Sequence, residues 1–139
     1  MTIQTDKVTL TFEEISARLH AAPLPRVDVV VGITRGGLVP ASLAAHQLRV
    51  PLVLVSLNYR DDDNKPRHAA PQLLKPLDFD PAGKRLLLVD DVSVSGSTLH
   101  AARELMPGAD ITTLTLKGQA DIVLFPEVKP CVHWPWTLP

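Results

Sequence analysis

The sequence predicts an α/β domain, a parallel sheet with helices on both faces. Three observations carry this reading. Val27–Ile33 (VDVVVGI), Leu86–Val89 and Ile111–Leu116 (ITTLTL) are short apolar runs bounded by turn residues, the pattern of strands buried on both faces. The first two pass through loops of small residues into helical patterns, Val39–Leu48 and Leu99–Met106. Strands that alternate with helices call for parallel pairing, and in such sheets ligands bind outside the carboxyl ends of the strands.

The elements follow in order. Thr11-Phe12-Glu13-Glu14 has the form of a capping box, and Phe12, Ile15 and Leu19 share one face of a short helix ending before Pro23. The strand at Val27–Ile33 runs directly into Thr34-Arg35-Gly36-Gly37. Glycines permit close backbone approach, and a guanidinium suits bidentate phosphate contact, so this unit is either a tight turn or an anion site. Leu52–Leu57 is a further strand pattern, followed by a long polar stretch, Asn58–Lys84, carrying Arg60-Asp61-Asp62-Asp63. A connection of that length inside one domain is functional or mobile. Pro107-Gly108 stops the helix after Met106, and Lys117-Gly118 closes the last strand.

Chemistry concentrates at the end of the central strand, where Asp90 and Asp91 precede Ser93, Ser95, Gly96, Ser97 and Thr98. The amides of a small-residue loop and a helix N-terminus suit a phosphate. The carboxylates suit hydroxyls or a hard cation such as magnesium. The loops at 34–37, 90–98 and 117–118 all fall at one edge of the sheet, which argues for one composite site.

Composition narrows the classes. The 139 residues are expected to form a single domain, 1–139. A formal charge of −1 gives no electrostatic case for nucleic acid or an anionic membrane. Cys131 stands alone, so no internal disulfide framework is expected, and a reducing, cytoplasmic setting fits. The start of the chain lacks a signal-peptide pattern, and no apolar stretch approaches a membrane span.

The stretch VDDVSVSGST resembles the phosphoribosyl-pyrophosphate (PRPP) motif of the type I phosphoribosyltransferases: two acids, an apolar residue, two variable positions, then Thr-Gly-x-Thr, with Ser95 in place of the first Thr. GITRGGLVPASLAA is similar to the pyrophosphate loop of the bacterial xanthine–guanine members, and the resemblance runs from the first helix to Trp136. It implies the type I fold with a small C-terminal hood (118–139) and a flexible loop region (58–84), with Asn58-Tyr59 at the start of a closing lid. It implies displacement of pyrophosphate from PRPP by a purine nitrogen, with Mg2+ as cofactor, in a homo-oligomer (dimer or tetramer). By the same resemblance Thr34, Arg35, Gly36 and Gly37 hold pyrophosphate, with a non-proline cis peptide at or beside Thr34-Arg35. Asp90 and Asp91 would hold the ribose hydroxyls, Asp91 the metal, and the segment Val92, Ser93, Val94, Ser95, Gly96, Ser97, Thr98 the rest of PRPP. Asp90, Asp91 and Arg35 would carry catalysis. Lys117, Cys131, Val132 and Trp134 would meet the base, with Pro135-Trp136 in the hood.

Two residues depart from the 6-oxopurine pattern. Val94 stands where those members carry a proton-handling Asp, and Cys131 where they carry an aromatic residue that stacks on the purine. Trp134 is the candidate to replace the stacking and His133 a candidate proton carrier. The alternative reading is a PRPP- or nucleotide-binding regulator without transfer activity, or a phosphoribosyltransferase for another base. Turnover with a panel of bases separates these.

Overall fold

The computed structural model describes residues 8–58, 72–73 and 76–137. In chain order its elements are β1 (Val8–Thr9), α1 (Phe12–Ala21), β2 (Val29–Ile33), α2 (Leu38–Leu48), β3 (Leu52–Val55), β4 (Leu57–Asn58), β5 (Gln72–Leu73), β6 (Arg85–Ser93), α3 (Ser97–Glu104), β7 (Asp110–Gly118), β8 (Ile122–Val123) and β9 (Val132–His133). The central sheet has the order β3-β2-β6-β7-β8, and every neighbouring pair in it is parallel.

Two apolar clusters sandwich this sheet. On one face Val30, Leu87, Val89, Leu114 and Leu116 pack with Ile15 and Leu19 of α1 and Ala41, Ala44 and Ala45 of α2. On the other, Val29, Val31, Leu86 and Leu88 pack with Leu99, Ala102 and Met106 on and just beyond α3. Alternate residues of a strand point to opposite faces, so these runs must be apolar throughout, which is why they read as unbroken hydrophobic stretches. Leu86, Leu87, Leu88 and Val89 are fully buried, and each such side chain contributes about 1.5–3 kcal/mol of transfer free energy. Helices on both faces of a parallel sheet, as expected, are what the chain forms.

At the entry to α1 the capping box is present. Thr11 Oγ1 accepts from the Glu14 amide (3.1 Å), and Glu14 Oε1 accepts from the Thr11 amide (3.3 Å). Helix α3 starts two residues earlier than the pattern suggested and ends at Glu104. Gly96, at φ 82°, turns the chain, and Ser95 Oγ accepts from the Ser97 amide (3.3 Å).

The central strand requires a correction. It does not end at the acids: β6 runs through Asp90 and Asp91 to Ser93. The reason is its partner. β7 extends to Gly118 and continues the ladder, pairing Asp90 with Thr115, Val92 with Lys117 and Ser93 with Gly118. That last pair requires glycine. Gly118 has φ 101°, and a Cβ there would overlap the Ser93 backbone. Gly118→Ala is expected to destabilise the fold by about 3 kcal/mol or more, read as a lower denaturation midpoint; an unchanged midpoint would mean that the strand end relaxes freely.

The strand expected over Leu52–Leu57 breaks at Ser56, and its end pairs antiparallel with β5 across the long connection (Leu57 with Leu73, Asn58 with Gln72). Tyr59 and the Arg60–Asp63 run lie outside the described residues. The tail is tied down in two places. Val8–Thr9 pairs in parallel with Val132–His133. Arg18 donates to Leu124 O (2.7 Å) and pairs with Glu127 (2.5 Å), its guanidinium 4.4 Å from the Phe125 ring centroid. Neither tie was legible beforehand. No helix among the described residues is long and apolar enough to cross a membrane.

Candidate active site

The site is built where β2 and β6 meet their following loops. Pairing of Gly32 with Val89 brings the turn after β2 alongside the carboxylates of β6. Contact there is close enough to exclude side chains. A Cβ on Gly36 would overlap the Asp91 carboxylate, and one on Gly37 would overlap the carbonyl of Val89. The two glycines are therefore what lets the 34–37 turn lie directly on the central strand. The Thr34–Arg35 peptide bond is cis, as the resemblance implied.

Thr34 anchors the turn. Its amide donates to Val55 O (2.9 Å), and its hydroxyl lies 2.5 Å from Ser56 Oγ. Ser56 was not among the expected site residues, because a single serine between two strand patterns has no motif around it. Arg35 is exposed at the mouth of the turn, and its carbonyl accepts from the Leu38 amide (3.0 Å).

Asp90 is 9% exposed. Burial first, and then the charge of the adjoining Asp91, push its carboxyl up from 3.8 to about 8. Its Oδ1 accepts from the Asp91 amide (2.8 Å), while Asp91 Oδ1 accepts from the Val92 amide (2.7 Å). A raised folded-state value means that the fold holds a proton the unfolded chain releases. Stability from this group is complete below the unfolded value and is lost as pH rises through the folded one. The free protein should therefore lose stability as pH climbs from 3.8 toward about 8. Asp90→Asn should flatten that decline and raise the denaturation midpoint at the alkaline end; an identical pH profile for the variant would sink this account.

From Val94 to Gly96 the chain leaves the sheet as a short loop, and α3 begins at Ser97. Val94 is 82% exposed, and Ser95, Ser97 and Thr98 are exposed as well. Ser95 and Ser97 share a hydrogen bond of 2.9 Å. Ser93 is buried beneath them, and its Oγ has no hydrogen-bond partner among the described residues.

At the far side of the site Lys117 reaches the tail. Its Nζ donates to the carbonyls of Pro130 (2.5 Å) and Lys129 (3.1 Å). Cys131 is exposed next to them and free. Val132 and His133 are half-buried in β9. Trp134 is placed differently from the other expected base contacts: it is buried in the core, with its ring stacked on Trp136 at 5.5 Å and 2° between planes. One face of the indole is thus already covered.

Among the described residues no group of three or more His, Cys, Asp or Glu could hold a metal by itself. Asp90 and Asp91 supply carboxylate oxygens from adjacent positions. That donor set suits a hard divalent cation which keeps waters and completes its shell with substrate phosphates. The arrangement as a whole brings a glycine turn carrying an arginine, paired carboxylates and the hydroxyl-rich start of α3 to one sheet edge.

Residues 8–116 match the family described as "Phosphoribosyl transferase domain". The chain is 36% identical over 118 residues to a xanthine-guanine phosphoribosyltransferase of Chromohalobacter salexigens, covering 78% of this chain and 68% of that one. With the protein of the same name from Gluconobacter oxydans it shares 32% over 130 residues, covering 88% and 71%. A crystal structure of a purine phosphoribosyltransferase from Pyrococcus horikoshii Ot3 superposes with a TM-score of 0.77 at 29% identity, covering 96% of this chain and 95% of that one. With its parallel sheet, its cis turn against the central carboxylates and this match over most of its length, the chain belongs to the phosphoribosyltransferase family and has the type I fold.

Proposed function

We propose that this protein transfers the 5-phosphoribosyl group of PRPP to a ring nitrogen of a purine base, with 6-oxopurines favoured. A bond forms between that nitrogen and the anomeric carbon of the ribose, the bond from that carbon to the pyrophosphate oxygen breaks, and the nitrogen's proton is released. The observation that carries the reading is the direct contact of the Thr34–Gly37 turn with Asp91. It supports the reading because a turn carrying Arg35, whose guanidinium has no partner among the described residues, lies beside carboxylates, as a ligand with a hydroxylated ring and a charged leaving group requires. The purine and 6-oxopurine assignments draw on the relatives' names and on Lys117.

In this reading Arg35 and the turn amides take up the charge that develops on the departing pyrophosphate. Asp90 and Asp91 orient the ribose hydroxyls, and the charge of Asp91 favours the electron-poor ring. Ser95, Ser97 and Thr98 hold the 5′-phosphate together with the loop amides and the start of α3. Asp91, aided by Asp90, would hold Mg2+, which supplies charge neutralisation at the phosphates when bound. Lys117 faces the base, and the 129–133 segment covers it as the hood.

The test is turnover of PRPP with Mg2+ and a panel of guanine, xanthine, hypoxanthine and adenine, followed as nucleotide and pyrophosphate formed. Arg35→Ala is expected to cut kcat/KM for PRPP on the order of a hundredfold, since one such electrostatic donor is worth about 10²–10³ in rate. PRPP binding without turnover on any base would instead assign a regulator.

A further inference from the structure

Two buried hydroxyls of the central sheet, Ser93 at the end of β6 and Thr115 in β7, have no hydrogen-bond partner among the described residues, and Thr115 is the one that lies within the sheet rather than at its edge. Thr115 is 0% exposed, in the middle of β7, and its Oγ1 has no hydrogen-bond partner among the described residues. Its backbone is settled, since its carbonyl accepts from the Leu124 amide (3.0 Å). Thr113, two residues earlier on the same face, is a useful contrast. Its hydroxyl donates to Asp121 Oδ2 (3.1 Å) and accepts from the Asp121 amide (2.9 Å). A buried hydroxyl without a partner is costly, and valine has nearly the same shape without that cost.

What lies beside Thr115 gives the hydroxyl a use. It is the register partner of Asp90 on β6. Neighbouring strands run about 4.7–4.9 Å apart, and partner residues project from the same face. Leu114 and Leu116 belong to the cluster under α1 and α2, whereas Leu86 and Leu88 belong to the one under α3. By alternation Asp90 and Thr115 both face α3, under the loop that begins at Val94. The Asp90 carboxylate is bonded on one side to the Asp91 amide through Oδ1.

We propose that Thr115 is a positioning residue, whose hydroxyl donates to the Asp90 carboxylate when that carboxylate engages the ribose hydroxyls of PRPP. The inference rests on the functional reading above. Thr115 touches neither pyrophosphate nor base; it orients the carboxylate from behind.

The experiment compares wild type, Thr115→Val and Thr115→Ser, measuring Mg–PRPP affinity by calorimetry, KM for the base, and the denaturation midpoint of the free protein. Thr115→Val should keep or raise the midpoint, because no partner is lost in the free fold. It should weaken PRPP about tenfold or more, the scale of one hydrogen bond to a charged group, and leave base KM unchanged. Thr115→Ser should restore PRPP affinity. Unchanged PRPP affinity in the Val variant would overturn the proposal. So would a lowered midpoint or a failure to fold, either of which would make the hydroxyl part of the fold. Wild type that does not bind PRPP would remove the functional reading itself and this inference with it, an outcome distinct from wild type that binds and a Val variant that binds equally well.

Discussion

Asp91→Ala is expected to abolish Mg2+-dependent PRPP binding while leaving the chain folded. Asp91 is half-buried, and its carboxylate lies against the one turn in the site that carries an arginine. Its Oδ1 takes a hydrogen bond from the next amide (2.7 Å), which aims the group and leaves the other oxygen for a ligand. In the proposed reading, removing it deletes a ligand of the cation and a partner of the sugar at once. Each charge-assisted contact is worth about 1.5–3 kcal/mol, so loss of both should lower affinity by on the order of a hundredfold to ten-thousandfold, which leaves no binding detectable by calorimetry. The fold should not suffer. Asp90 would lose the neighbouring charge that helps hold its carboxyl high, so the variant's denaturation midpoint should equal or exceed wild type. Calorimetry with Mg–PRPP checks the first part and thermal unfolding the second. Wild-type affinity in the variant would remove Asp91 from the site.

Local chemistry was legible in the residues themselves. The four apolar residues from Leu86 to Val89 announced a buried strand, and Thr34–Gly37 announced a turn with a close approach. What the glycines approach was not legible. That Gly36 rests on Asp91 depends on the register between β2 and β6, which no local pattern encodes. The acids read as a strand end because carboxylates normally interrupt buried strands. They are kept inside the ladder by β7, whose backbone is available as far as Gly118 only because that residue tolerates φ 101°. The tail was the least legible. Pairings of two residues, such as Val8–Thr9 with Val132–His133, leave no periodicity to find. Trp134 read as a candidate to stack on the base, and its burial in the core with Trp136 on one face of its ring was not legible. Thr115 did leave a trace: in ITTLTL a threonine occupies a position where a buried strand otherwise takes Val, Ile or Leu.

Lys117 carries the second large effect, because it holds the tail and, in the proposed reading, meets the base from the same ammonium group. An ammonium has three donors. Two point to the carbonyls of Pro130 and Lys129, leaving one N–H. A 6-oxopurine presents an acceptor to that donor, whereas adenine presents an amino group, so donor would face donor. A site that hydrogen-bonds one group rejects the analogue that cannot reciprocate. The native protein should therefore use guanine, xanthine or hypoxanthine in preference to adenine by roughly a hundredfold or more in kcat/KM. Turnover on the preferred bases should still be slow, since Val94 offers no acceptor for the ring proton, and general-base assistance contributes about 10²–10⁴ in rate. Val94→Asp should raise it. Lys117→Met should do two separable things. Loss of the donor collapses the preference over adenine, and loss of the two carbonyl contacts loosens residues 129–131, raising KM for every base while PRPP affinity stays as in wild type. Limited proteolysis of the tail reports the second effect independently of catalysis. Brisk use of adenine by the wild type, or a Lys117→Met variant with wild-type base preference and an equally protected tail, would show that this lysine neither reads the base nor holds the segment over it.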